Sequence, residues 1–107
     1  MVIKEITAIE LNKKILDKDD FILIDVRTDS EYFLSNIKEA IHIPMNAIPD
    51  NLESIDKNKE IIVQCKIGQR SAKVCEFLIN NNYSNVKNLS GGILAWAKEI
   101  DQSIIVY

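Results

Sequence analysis

Glycine and proline are scarce in this chain, three and two residues among 107, which leaves no room for a flexible linker or a low-complexity tract. Histidine occurs once, at His42, and cysteine twice, at Cys65 and Cys75, with no CxxC spacing. That inventory argues against a structural zinc site, and no metal is expected. Apolar runs are short, such as Phe21 to Ile24, far below the roughly 20 residues that a membrane span requires. Lys and Arg form no cluster, and the net charge is −3, so the basic stripe that nucleic-acid backbones require is missing. Glu5 and Glu10 interrupt the N-terminal stretch, which does not read as a secretory signal. The expectations are a cytoplasmic protein with no membrane or nucleic-acid partner and with both cysteines as free thiols.

What remains is an ordinary globular composition, 47% hydrophobic and 27% charged. There is no internal repeat, and a second core would be too small to stand alone, so residues 1–107 are expected to form a single domain. Thr7-Ala8-Ile9-Glu10 reads as a capping box opening a helix, with Ile9, Leu11 or Asn12, Ile15 and Leu16 near one face. FILIDV (Phe21 to Val26) is apolar and short, as a strand buried on both faces should be. A turn or short helix is expected over Ser30 to Leu34, a strand at Ala40 to Pro44, and a short helix or turn over Asn46 to Leu52. EIIVQC (Glu60 to Cys65) gives another strand, Ser71 to Asn80 a helix, Val86 to Leu89 a strand, and Ile93 to Ile100 a last helix after the Gly91-Gly92 turn. This alternation predicts an α/β fold with a central, mainly parallel sheet and helices on both faces. Ligands in such folds sit at the carboxyl ends of strands, where Cys65 falls.

The segment C-K-I-G-Q-R, Cys65 to Arg70, joins that strand to its helix. Gly68 permits a backbone conformation closed to other residues, so the loop can turn successive N–H groups inward as an anion nest. The following helix adds the positive end of its dipole, and Lys66 and Arg70 add formal charge. Each feature favours thiolate over thiol, which should bring Cys65 below the usual value of about 8.5. Taken alone, a cysteine at a strand end reads as an inert core residue. The flanking Lys66, Gly68, Gln69 and Arg70 instead suit a polar rim. A cysteine phosphatase would need C-x5-R, but here the spacing is C-x4-R with Ser71 next, one residue short for a phosphoryl group.

Four ordered segments resemble the rhodanese family of sulfurtransferases: LIDVRTDSEY (Leu23 to Tyr32), AIHIP, CKIGQRSA and NLSGGILAW (Asn88 to Trp96). The tail EIDQSIIVY is similar to the end of rhodanese domains that close adenylating sulfur-insertion enzymes. Where the family has G-H-I-x-G-A, this chain has Ser35-Asn36-Ile37-Lys38-Glu39-Ala40, a departure read as local to a turn. The resemblance implies a rhodanese-like fold and a Cys65 nucleophile that takes a sulfane sulfur from thiosulfate or a similar donor. The resulting persulfide passes its sulfur to a thiol, an acceptor protein or another thiophile, in two covalent steps without a cofactor. Lys66, Ile67, Gly68, Gln69 and Arg70 would bind the substrate, and Asp25, Arg27 and Ser71 would support the loop. A sulfur carrier in cofactor or tRNA thiolation, or a non-enzymatic interaction module, are the alternatives.

The remaining candidates receive structural roles. Asp25 and Arg27 would orient the turn after their strand, with Arg27 able to pair with Glu31. A thiolate in a nest needs no base, so His42 is given no catalytic part. Cys75 and Trp96 read as core residues.

Overall fold

The computed structural model describes residues 1–106; Tyr107, the last residue of the tail, lies outside them. Five strands form one parallel sheet: β1 (Lys4–Ile6), β2 (Phe21–Asp25), β3 (Ile41–His42), β4 (Glu60–Gln64) and β5 (Val86–Leu89), in the order β1-β5-β4-β2-β3. The helices are α1 (Ala8–Leu16), α2 (Asp29–Leu34), α3 (Gln69–Asn80) and α4 (Gly92–Glu99), with tight 3₁₀ turns at Met45–Ala47 and Pro49–Ser54.

The central strands are apolar on both faces because both are covered. Ile24, Val26, Ile61, Val63 and Cys65 face Val74, Cys75 and Leu78 of α3 and the ring of Tyr83. Leu23, Ile62 and Leu89 face Leu11 of α1 and Ile93 and Trp96 of α4. The α/β class with a parallel sheet and two covered faces is therefore as the sequence predicts, and Trp96 and Cys75 are core residues.

Several local expectations need correction. β1 has no strand signal in the sequence, because two of its three residues are charged and exposed. It forms by pairing with β5, Lys4 beside Lys87 and Ile6 beside Leu89, as a short, charged edge strand. The Thr7–Glu10 capping box is present, but the buried stripe of α1 is Ala8 and Leu11, with Ile15 packed beside them. Ile9 and Leu16, one residue further round the helix, are 63% and 71% exposed. A second capping box, Thr28 with Glu31, opens α2. The strand expected over Ala40 to Pro44 shrinks to two residues at the sheet's other edge. The departure at residues 35–40 includes a turn at Lys38-Glu39, where the Ala40 N–H donates to the Ile37 carbonyl at 2.9 Å with Ile37 buried, but it also reaches further, since the Ser35 hydroxyl donates to the Ile105 carbonyl at 2.5 Å.

α3 begins at Gln69, two residues before the expected Ser71. Gly68, with φ of +105°, is its N-cap, so Gln69 and Arg70 belong to the first helical turn. β4 thus delivers Cys65 directly against a helix N-terminus.

Candidate active site

Helix N-termini leave N–H groups without intrahelical partners. Gly68 has no side chain to cap those of α3, and the Cys65 sulfur takes that place. The Ser71 N–H donates to Cys65 Sγ at 3.4 Å, and the Gly68 N–H donates at 3.1 Å. The Ser71 hydroxyl lies 3.2 Å from the same sulfur and 2.5 Å from Asn88 Oδ1 on β5. The other end of the Asn88 amide donates to the Gly68 carbonyl at 3.0 Å. Cys65, Ser71 and Asn88 are all buried.

Burial acts most strongly on Cys65 and opposes its ionisation. The Ser71 hydroxyl when it turns to the sulfur, and the amides of Ser71, Gly68 and Ile67, outweigh it, and the thiol falls below its ordinary pKa. Cys75 shows what burial does without such donors: its thiol is pushed up to about 12, first by desolvation and then by the charges of Glu5 and Cys65. Two cysteines of one domain are thus set apart, one favoured and one disfavoured as thiolate.

The loop's shape is fixed from behind by α4. The Ile93 N–H donates to the Cys65 carbonyl at 2.8 Å and the Leu94 N–H to the Lys66 carbonyl at 3.1 Å. With both carbonyls drawn toward α4, the loop amides are left to face the sulfur. This approach requires Gly92, whose φ is +59° and whose Cα sits against those two carbonyls. Nothing in a sequence pattern of two glycines says which one makes the contact.

Arg70 does not close over the sulfur. Its guanidinium is held by Glu31 of α2 in a two-pronged ion pair, at 2.7 and 2.9 Å. The expected Arg27–Glu31 pair does not form through the carboxylate. Arg27 instead grips Asp25, with Nη2 to Oδ2 at 2.8 Å, and donates to the carbonyls of Ser35 and Glu31. Asp25 and Arg27 are two residues apart, so they point to one side of the strand end, while Glu31 is turned toward Arg70. Both residues of this pair are buried, and neither touches Cys65 among the described contacts. His42 lies elsewhere: its Nε2–H donates to the Arg27 carbonyl at 2.8 Å and its ring stacks on Tyr32. Of the loop residues expected to bind substrate, Gly68 and Ile67 turn their amides to the sulfur, the side chains of Ile67 and Gln69 are exposed, and Lys66 makes no side-chain hydrogen bond or ion pair among the described residues.

Glu31 makes the acid side of stability predictable. The Arg70 hydrogen bonds hold its carboxyl down to about 2, against 4.5 unperturbed, despite partial burial. A depressed carboxylate stabilises the fold above its unfolded pKa and loses that contribution as pH falls through the folded one. The urea midpoint of Glu31→Gln should therefore lie below that of the native protein at pH 6 and converge toward it between pH 4.5 and pH 2.

A cleft of about 630 Å³ opens beside the loop, with Val26, Pro44 and Met45 on its wall and Asp29 and Arg70 at its rim; Cys65 does not line it. Among the described residues, no group of three His, Cys, Asp or Glu is placed to hold a metal. No helix among them is long and apolar enough to cross a membrane.

A family profile described as the rhodanese-like domain matches residues 7–99. The chain belongs to the rhodanese-like domain family. Within it, a protein of Allochromatium vinosum named a sulfurtransferase is 35% identical over 97 residues, 91% of each chain. The Bacillus subtilis protein YtwF, also bearing a sulfurtransferase name, is 41% identical and covers 92% of this chain and 95% of its own. A rhodanese-like domain protein of Staphylococcus aureus, known as a crystal structure, superimposes with a TM-score of 0.85 at 40% identity over 98% of this chain and 99% of its own. Sulfur transfer is the class of activity to which these relatives' names belong.

Proposed function

We propose that this rhodanese-like domain is a sulfurtransferase whose Cys65 carries the sulfur as a persulfide. The observation behind this reading is the sulfur's position at the N-terminus of α3, facing the amides of Gly68 and Ser71. The Cys65 thiolate attacks the outer sulfur of thiosulfate or a similar sulfane donor. The donor's S–S bond breaks, and sulfite leaves with the bonding pair. An acceptor thiolate or other thiophile then attacks the terminal sulfur, and Cys65 departs as a thiolate again. Nothing is consumed beyond donor and acceptor, which accords with expecting no cofactor. The same amides that favour the thiolate favour each departing Cys65 thiolate.

Thiosulfate as donor draws support from Coxiella burnetii GlpE, named a thiosulfate sulfurtransferase and 30% identical over 96 residues. Lys66 would then set the preference for anionic donors, since the Arg70 charge is paired with Glu31. Lys66→Ala should raise KM for thiosulfate while leaving transfer from an uncharged sulfane-sulfur donor largely unchanged; equal losses with both would place Lys66 outside substrate binding.

A second reading is a sulfur carrier loaded by a protein donor. The cleft beside Arg70 favours it, being larger than a small sulfur anion needs. Rapid loading by a cysteine desulfurase with slow thiosulfate turnover would select it. In either case, thiocyanate formation from thiosulfate and cyanide should follow ping-pong kinetics and vanish in Cys65→Ala. Turnover persisting in that variant would remove Cys65 from the reaction.

A further inference from the structure

The Ser71 hydroxyl has one proton and two neighbours that want it. Asn88 is 3% exposed on β5, and its orientation is fixed by chemistry. A carbonyl only accepts, so the nitrogen end of the Asn88 amide must face the Gly68 carbonyl, at 3.0 Å, and Oδ1 must face Ser71. The Gly68 carbonyl also accepts the Ala72 N–H at 3.2 Å, which makes a reversed amide still less favourable. An amide oxygen only accepts as well. At 2.5 Å from it, the Ser71 hydroxyl donates its single proton to Asn88.

Ser71 Oγ can then only accept from the sulfur 3.2 Å away. The resting chain of hydrogen bonds runs Cys65 S–H to Ser71 Oγ, then Ser71 O–H to Asn88 Oδ1. That order suits the thiol. When Cys65 loses its proton to solvent, the sulfur becomes an acceptor facing an oxygen whose proton points away. The hydroxyl must either turn to the sulfur and leave the buried Asn88 oxygen unpaired, or stay and offer the thiolate nothing.

We infer that Asn88 is a positioning residue for Cys65: anchored on the Gly68 carbonyl, it competes with the sulfur for the Ser71 proton and so restrains thiolate formation. The inference deepens the proposed role of Cys65 and rests on that reading for its meaning in turnover. It adds a brake to a nest whose amides all push the other way. The charged and titratable groups nearby are Arg70 of α3 paired with Glu31 of α2, Lys66 of the loop, Asp25 at the end of β2 paired with Arg27, Glu5 of β1 and Cys75 of α3. Glu5 sits beside Asn88 in the β1–β5 register, but among the described hydrogen bonds none of these side chains reaches the sulfur or the Asn88 amide group.

The test is the pH dependence of iodoacetamide alkylation at Cys65, followed by peptide mass spectrometry so that Cys75 does not contribute. Asn88→Leu and the smaller Asn88→Ala should each lower the alkylation midpoint by roughly 0.5 to 1 unit, as the hydroxyl is released to the thiolate. In a Ser71→Ala background the same Asn88 substitution should move the midpoint little. If Asn88 served only to hold the loop, its loss would slacken the Gly68 amide and raise the midpoint whether or not Ser71 is present. Either a rise, or an equal shift in both backgrounds, overturns the inference. The native protein offers a second measurement that needs no Asn88 variant. The side-chain amide resonances of Asn88 should titrate with the Cys65 alkylation midpoint and stop doing so in Ser71→Ala; resonances that stay fixed through that midpoint overturn it too. Alkylation requires no sulfur donor, so failure of persulfide formation would sink the proposed function without deciding this result.

Discussion

Gly92→Ala should abolish sulfur transfer and destabilise the fold by several kcal/mol, although the residue lies outside the active loop. A Cβ at this position would overlap the carbonyls of both Cys65 and Lys66, and the obstacle is backbone that cannot rotate aside. The φ of +59° adds strain for any residue with a side chain. Two costs therefore combine, a left-handed backbone penalty of about 1 kcal/mol and an overpacking penalty of about 1–3 kcal/mol or more. Relief requires α4 to move away, which breaks the Ile93 and Leu94 hydrogen bonds that draw the loop carbonyls back. With those carbonyls released, the Gly68 amide is no longer aimed at the sulfur. Gly91→Ala is the informative contrast, because its added Cβ would meet the side chain of Ala95 rather than the loop. It should cost stability but retain a low Cys65 pKa. Urea unfolding together with the alkylation midpoint separates the two.

Arg27→Met is expected to cost about 3–5 kcal/mol. Asp25 is fully buried, and the Arg27 guanidinium supplies its countercharge. Without it, the carboxylate keeps one backbone N–H, from residue 27 at 3.0 Å, and must otherwise be protonated to stay inside. The guanidinium also ties the carbonyls of Ser35 and Glu31 to the end of β2, so α2 loses its anchor as well. Arg27→Lys should rescue little, since an ammonium cannot reproduce the fork. The double variant Asp25→Leu/Arg27→Met should be more stable than Arg27→Met alone, because it leaves no unpaired charge. By contrast Arg70→Ala, which breaks a partly exposed pair, should cost no more than about 1 kcal/mol. A domain with the usual 5–15 kcal/mol of stability would survive the second change and be put at risk by the first.

The contrast between these arginines shows where sequence reasoning reached and where it stopped. Elements whose signal is local were legible. FILID and EIIVQ could only be strands covered on both faces, and Thr7–Glu10 could only open a helix. The place of Cys65 at the head of α3 was legible because an apolar strand runs into a short segment with a glycine and two cations before the next helix. Choices between distant partners were not. Glu31 sits four residues from Arg27 and thirty-nine from Arg70, yet bonds by its carboxylate to Arg70, because α2 turns it across the loop. β1 was missed for the same reason: Lys4 and Glu5 carry no strand pattern, and only the exposed edge of β5 makes them one. Asn88 left a faint signal, a polar residue in an otherwise buried strand end, as did Ser71 at the head of the buried stripe of α3. Buried polar groups of this kind require partners, and looking for them would have joined the two to Cys65.

The central claim is that Cys65 holds the transferred sulfur. Intact-mass and peptide mass spectrometry of the native protein, after brief incubation with thiosulfate and removal of excess donor, tests it most directly. The added mass of one sulfur atom should appear on the peptide containing Cys65, be lost on addition of cyanide and be missing from Cys65→Ala. An unmodified native protein, or the same adduct located on Cys75, would contradict it.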